Sequence, residues 1–207
     1  RKPTAQLLNV AGRFFLIDCG EGTQLQLRKY KIRMQNIHHV FISHLHGDHY
    51  FGLIGFISTM HLLGREKELH VYGPAELKEI IYIQLEASKT TLCFPLFFHE
   101  FGFESSELLL ENNEVTVHTI PLTHSLPCCG FLFKEKSKPR RMRKEKIEEY
   151  GIPLEAVPDI KEGGGYLSKD GELIPHLELT RSAQNPRSFA FCSDTMYDES
   201  IIPHIQG

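Results

Sequence analysis

Short apolar runs broken by glycine-containing turns fill the first half of the chain. Residues 5–10 and 13–18 read as two strands joined at Ala11-Gly12, a hairpin pattern. Leu25, Leu27 and Tyr30 then suggest a helix, which Thr23 can cap, behind the permissive turn Gly20-Glu21-Gly22. Residues 37–43 form a further apolar strand. Leu53, Ile54, Ile57, Met60 and Leu63 recur at helical spacing, which predicts a helix over 50–64 with Gly64 as its C-cap. A short strand over 69–72 and a helix over Ala75–Ala87 follow. Strands and helices in this order predict an α/β fold with sheet packed under helices.

From residue 92 the apolar period shortens to two. Val115, Val117 and Thr119 alternate with Thr116, His118 and Ile120, the mark of a half-buried strand, and 130–133 reads as another. His118 in that strand and His61 on the earlier helix read as structural. Residues 150–187 are rich in glycine and proline with few periodic apolar positions, so they read as an extended arm or a long loop. Gly163-Gly164-Gly165 within it reads either as a hinge or as a seam from which residues are missing. Residues 188–195 return to a buried strand ending in a carboxylate, and 201–205 begin a helix. No internal repeat is evident.

The length of 207 residues allows one sizeable core and at most two small domains, and the reading is a single domain over 1–207. A hydrophobic content of 41% and a charged content of 24% are ordinary for a soluble globular chain. The net charge of -3 excludes a molecule that binds nucleic acid through its overall charge, so any such contact needs a local patch. One stretch qualifies: 134–146 holds eight lysines and arginines against two glutamates. It is either a solvated face or, beside a hydrolytic centre, an attractor of phosphodiester substrates through Lys138, Arg140, Arg141, Arg143 and Lys144. Five cysteines, an odd number without a CxxC pair, read as buried free thiols of a reducing compartment. The start, Arg1-Lys2-Pro3-Thr4, is not that of a signal peptide, and the apolar stretch at 50–63 is too short and too polar to span a bilayer. A cytoplasmic protein with no membrane association is expected.

The candidate chemistry lies in Ser43-His44-Leu45-His46-Gly47-Asp48-His49, directly behind an apolar strand. A strand sends alternate side chains to one face, so His44 and His46 can aim at one point. Asp48 and His49 follow Gly47, where the chain can turn toward a neighbouring point. Imidazoles and a carboxylate in that register suit two adjacent borderline ions such as zinc, the usual hydrolytic clamp. His124 follows a strand at a position where ligands gather in layered α/β sites. Asp194 ends another strand, and its two carboxylate oxygens can each reach one ion, which makes it a candidate bridge. Asp18 ends a strand beside a glycine turn. It either orients a ligand histidine from behind or merely caps the next helix.

These stretches resemble successive motifs of the ribonuclease Z family, the tRNA 3′-processing endonucleases of the metallo-β-lactamase superfamily. The carriers are Asp18-Cys19-Gly20-Glu21-Gly22-Thr23-Gln24, the histidine cluster with Gly52-Leu53, Pro121-Leu122-Thr123-His124-Ser125 and Cys192-Ser193-Asp194-Thr195. The resemblance implies an αββα four-layer sandwich with the metals at one edge and a protruding arm at about 134–181 that grips the RNA. It implies two zinc ions per subunit. His44, His46 and His124 would hold the first, Asp48 and His49 the second, and Asp194 would bridge them. Asp18 would orient a ligand from behind, and Asp48 would also be the proton acceptor in catalysis. The expected reaction is endonucleolytic removal of the 3′ trailer from precursor tRNA, leaving a 3′-hydroxyl on the tRNA and a 5′-phosphate on the trailer. The expected assembly is a homodimer.

Two departures from the family pattern stand out. The family carries a last zinc-ligand histidine and another catalytic histidine well beyond the bridging aspartate, and a glycine-rich strand ahead of the first motif; neither is present here. The chain therefore reads as part of a longer protein, with the second ion weakly held or absent. Within the arm, Gly151-Ile152-Pro153 matches the family, but the Pro-Gly expected after it does not appear. Two rivals remain: a hydrolase of small esters, thioesters or lactones on the same fold, and a non-catalytic RNA-binding subunit. The first needs no basic arm, and the second needs no intact ligand set.

Overall fold

A computed structural model describes residues 3–206. Arg1 and Lys2, which open the stretch read as not being a signal peptide, and Gly207 lie outside the described residues. β1 (Gln6–Val10) and β2 (Arg13–Ile17) pair antiparallel around Ala11 and Gly12. Both turn residues have positive φ, 51° and 87°, as a tight two-residue hairpin requires. β3 (Ile37–Phe41), β4 (Leu69–Gly73) and β5 (Leu96–Glu100) then add in sequence, each parallel to the one before.

Alternation along these strands decides the layers. Leu16, Val40, Ile42 and Val71 face one side and are buried with residues of α1 (Thr23–Lys29), α3 (Leu53–Leu62) and α4 (Ala75–Ala87). A short α2 (Gly47–Tyr50) precedes α3. Phe15, Ile17, Phe41 and Tyr72 face the other side. There they meet Val115, Val117, Cys129, Phe131 and Phe133 from a second, antiparallel sheet. Its strands are β6 (Leu108–Glu111), β7 (Val115–Leu122) and β8 (Cys128–Glu135). Each fully buried aromatic or branched side chain contributes on the order of 1.5–3 kcal/mol, so this aromatic seam is a main fastening of the two sheets. The sandwich is the metallo-β-lactamase αββα architecture. On the outer face of the second sheet, among the described residues, Ile201 covers Ile120 and Leu132.

Two local expectations are corrected. The helix expected over 50–64 is interrupted after Tyr50, because the Gly52 N–H donates to the Cys19 carbonyl at 2.8 Å and holds the chain against the Asp18 turn. Thr23 does not cap α1. Gly22, at φ 80°, occupies the cap, and the Thr23 hydroxyl donates back to the Gly20 carbonyl at 2.6 Å.

The chain divides into two units, 1–135 with 188–207, and 136–187. Residues 150–187, most of the second unit, were expected to be an extended arm or a long loop, and the unit is a folded body. It contains β9 (Arg141–Met142), α5 (Lys144–Tyr150), α6 (Val157–Glu162), a small hairpin of β10 (Tyr166–Leu167) and β11 (Leu173–Ile174), then α7 (His176–Leu179) and β12 (Thr180–Arg181). Its own core is Ile152, Ile160, Ile174 and Leu179. Gly163, at φ 117°, terminates α6. β13 (Ser188–Phe191) then returns to the first unit and pairs antiparallel with β8. No helix among the described residues is long and apolar enough to cross a membrane. All five cysteines are free; Cys19, Cys128 and Cys129 are buried as expected, whereas Cys93 and Cys192 are exposed.

Candidate metal centre

Because β2 and β3 are parallel, Asp18 and Ser43 emerge from the same edge of the first sheet, where open α/β sheets place their sites. β7 and β13 deliver His124 and Asp194 from the second sheet. The Thr123 and Asp194 segments are lashed together: Met196 N–H donates to the Thr123 carbonyl at 2.8 Å, and the Thr123 hydroxyl donates to Asp198 at 2.7 Å. The Asp18 turn lies directly on the histidine loop. A Cβ at Gly20 would collide with the Asp48 carbonyl oxygen, and one at Gly52 with the Gly20 carbonyl oxygen, so both positions admit only glycine without rearrangement.

Two groups of ligand atoms converge, each with its atoms within 4.8 Å of one another: His44, His46 and His124, and His44, His49 and Asp194. In the first, His46 Nδ1 lies 3.0 Å from His44 Nε2 and 3.2 Å from His124 Nε2. In the second, His49 Nε2 lies 3.7 Å from an Asp194 carboxylate oxygen. Asp48 belongs to neither group, but its carboxylate stands 3.8 Å from the same His49 Nε2. His44 takes part in both groups. The arrangement thus brings together every residue expected as a ligand, with Asp48 at the margin.

Behind the ligands lies Asp18, fully buried and held at a left-handed φ of 55°. Its Oδ1 accepts the Ser43 N–H at 2.9 Å, and its Oδ2 accepts from His49 Nδ1 at 2.7 Å. Burial raises the Asp18 pKa, against the lowering effect of His49 and Ser43. Burial also opposes the charging of His49, but the hydrogen bond and charge of Asp18, with Asp48 and Asp194, outweigh it and raise the His49 pKa. His44 is held down to about 4 by burial and by the neighbouring His49, His46 and His124, so its ring is neutral and offers a lone pair.

The donor set fits zinc: imidazole nitrogens and carboxylate oxygens that converge. His49 supplies the sharpest test. Its Nδ1 is committed to Asp18, and its buried Nε2 has no hydrogen-bond partner. A buried imidazole nitrogen left bare costs free energy unless something accepts its lone pair. A carboxylate-backed histidine turned toward a cation is the arrangement in which it does.

The basic residues divide. Arg140 Nε donates to the Thr180 hydroxyl at 2.7 Å and its Nη1 to the Ser182 hydroxyl at 3.2 Å, while Arg143 Nε donates to the Thr180 carbonyl at 3.1 Å. These two arginines fasten β9 and β12 within the second unit. Lys138, Arg141 and Lys144 are exposed on that unit. Reading the sequence also assigned no part to Ser43 or Cys128, which lie against His44 Nδ1, or to Ser193, which lies against the Ser43 hydroxyl. Ser43 was visible inside the histidine motif, but nothing local marks what its hydroxyl touches.

The chain matches the family model described as Anti-Pycsar protein Apyc1 over residues 3–138. It is 43% identical over 204 residues to a ribonuclease Z of Bacteroides fragilis, covering 99% of this chain and 67% of that protein. A ribonuclease Z of Cytophaga hutchinsonii is 45% identical over 208 residues, covering 100% of this chain and 66% of that protein. The chain spans about two thirds of the length of the curated relatives it matches. Among solved structures, human tRNase Z, short form, superposes with a TM-score of 0.60 at 35% identity, covering 66% of this chain and 58% of that one. A long form RNase Z from yeast superposes with a TM-score of 0.52 at 14% identity, covering 66% of this chain and 25% of that one, and shares the fold.

Proposed function

The chain belongs to the ribonuclease Z family and, over residues 3–138, to the family described as Anti-Pycsar protein Apyc1; from that premise we propose that it is a zinc-dependent endoribonuclease that removes the 3′ trailer from precursor tRNA. The observation that carries this reading is the pair of ligand groups meeting at His44, at the edge of the sandwich. His44, His46 and His124 would hold one ion, and His49 with Asp48 and Asp194 a second, Asp194 serving both. When bound, zinc supplies Lewis acidity, which lowers the pKa of water and offsets charge on phosphoryl oxygens.

The chain's own residues supply the rest. Asp48, with its side chain 42% exposed, is the carboxylate accessible to solvent and substrate and is the proton acceptor. Asp18 holds His49 in the tautomer that presents Nε2. Lys138, Arg141 and Lys144 contact the phosphates of the tRNA body, a sequence-independent hold that positions without reading bases. The products are a 3′-hydroxyl on the tRNA and a 5′-phosphate on the trailer. A cytoplasmic homodimer acting on precursor tRNA completes the reading.

The test is cleavage of a 3′-extended precursor tRNA, before and after chelation and after zinc is returned. The expected result is one cut behind the discriminator base, lost on chelation and restored by zinc. Cleavage that survives exhaustive chelation, or no cleavage by the zinc-loaded protein, would overturn the proposal.

A further inference from the structure

The Ser43 hydroxyl reaches a histidine of each ligand group from behind. It lies 3.1 Å from Asp18 Oδ2, 3.0 Å from His44 Nδ1, 2.9 Å from the Ser193 hydroxyl and 3.5 Å from His49 Nδ1. Asp18, His44 and Ser193 follow the ends of three strands, β2, β3 and β13, and His49 lies in α2. The Cys129 N–H also donates to the Ser43 carbonyl at 3.2 Å, which ties in the start of β8.

Counting protons decides which way the hydroxyl points. A serine hydroxyl has one proton and two lone pairs. Asp18 Oδ2 already takes the His49 Nδ1 proton at 2.7 Å and so faces Ser43 with lone pairs only. The Ser43 proton therefore goes to Asp18. Both lone pairs of Ser43 remain, one for the Ser193 hydroxyl and one for His44 Nδ1. His44 must then carry its proton on Nδ1, which leaves Nε2 bare and directed at His46 and His124. Cys128 agrees with this assignment: its Sγ lies 3.6 Å from the same Nδ1, where it can accept, and 3.5 Å from the Asp194 carbonyl, to which its own proton points. In the opposite assignment two acceptors, Asp18 Oδ2 and Ser43 Oγ, would face each other at 3.1 Å in a buried site.

We infer that Ser43 is a positioning residue that relays the Asp18 carboxylate to His44, so that one buried aspartate sets the tautomer of a ligand histidine in each of the two groups. Asp18 acts on His49 directly and on His44 through the Ser43 hydroxyl. The two ion positions thus share one hydrogen-bonded support, and its loss loosens both. This inference rests on the metal-binding reading of the site, but its first readout does not need the metal.

That readout is the long-range proton–nitrogen spectrum of the histidine side chains in the metal-free protein. The wild type is expected to show His44 as the Nδ1–H tautomer. Ser43→Ala is expected to give a mixture with Nε2–H and to bind zinc about 10–100-fold more weakly. Ser43→Thr, which keeps the hydroxyl, is expected to restore both. A wild type with the proton on His44 Nε2 overturns the inference with no variant needed. So does a folded Ser43→Ala that keeps the Nδ1–H tautomer and wild-type zinc affinity. Failure of wild type to take up zinc would instead overturn the metal reading, while the metal-free spectra would still decide the role of Ser43.

Discussion

Asp18 and His49 are 31 residues apart in sequence, yet their side chains meet at 2.7 Å with both fully buried. The contact turns the His49 ring so that its second nitrogen stands bare in the site. Asp18→Asn keeps the shape but replaces an acceptor-only oxygen with an amide that need not accept the His49 proton. We expect zinc affinity to fall about 10–100-fold, read by competition with a chromophoric chelator. Unchanged affinity would mean that Asp18 serves the turn and not the ligand.

Asp194 would serve both ions, while His124 belongs to one ligand group. His124→Ala should therefore lower bound zinc at one position, and Asp194→Ala at both. Elemental analysis of the two purified variants would show the difference. Both should lose precursor-tRNA cleavage, and His44→Ala should lose it too while still binding the RNA. If Asp194→Ala retained zinc at the wild-type level, the shared-ligand arrangement would be refuted.

The second unit predicts two distinct arginine phenotypes. Arg141 is exposed, whereas Arg140 is bonded to Thr180 and Ser182. Arg141→Ala should weaken RNA binding and make the salt dependence shallower by about one counterion, leaving stability within about 0.5 kcal/mol. Arg140→Ala should lower the stability of residues 136–187 by about 1–3 kcal/mol, seen as faster amide exchange there, because the Thr180 hydroxyl loses a charged partner. Equal effects of the two variants on RNA affinity, with no change in exchange, would sink the distinction.

Acid should weaken the sandwich through His39. Its ring stacks on Phe15 at 5.7 Å and on His70 at 5.2 Å, and its Nδ1 is buried without a partner. Burial, then the neighbouring His70, His38, Arg13 and His99, hold its pKa down to about 4 from an unfolded value of 6.5. Between those values the unfolded chain binds the proton and the folded chain does not. Stability from this group is therefore full above 6.5 and falls as the pH drops toward 4. Denaturant unfolding from pH 7 to pH 4 should show that decline, and His39→Phe, which keeps a stacked ring, should flatten it. An unchanged slope in the variant would assign the acid sensitivity elsewhere.

Much of this molecule is written locally. The alternation of Phe15, Leu16 and Ile17 sorts side chains to two faces before any partner is known, because successive strand residues point in opposite directions. The histidine motif likewise packs four donors into six residues, so its chemistry can be read without the fold. Residues 150–187 were misread because Ile152, Ile160, Ile174 and Leu179 are too widely spaced to show a period, and they become a core only when short elements close on each other. Ser43 was silent for a related reason: a serine has no preference that reveals its partners, and these lie 25 and 150 residues away in Asp18 and Ser193. The sequence alone determined which residues can bind metal and how each strand turns its faces, since both follow from side-chain chemistry and short-range geometry. Tertiary structure decided which nitrogen each histidine presents, because that depends on buried hydrogen bonds between strand ends that meet only when the two sheets pack.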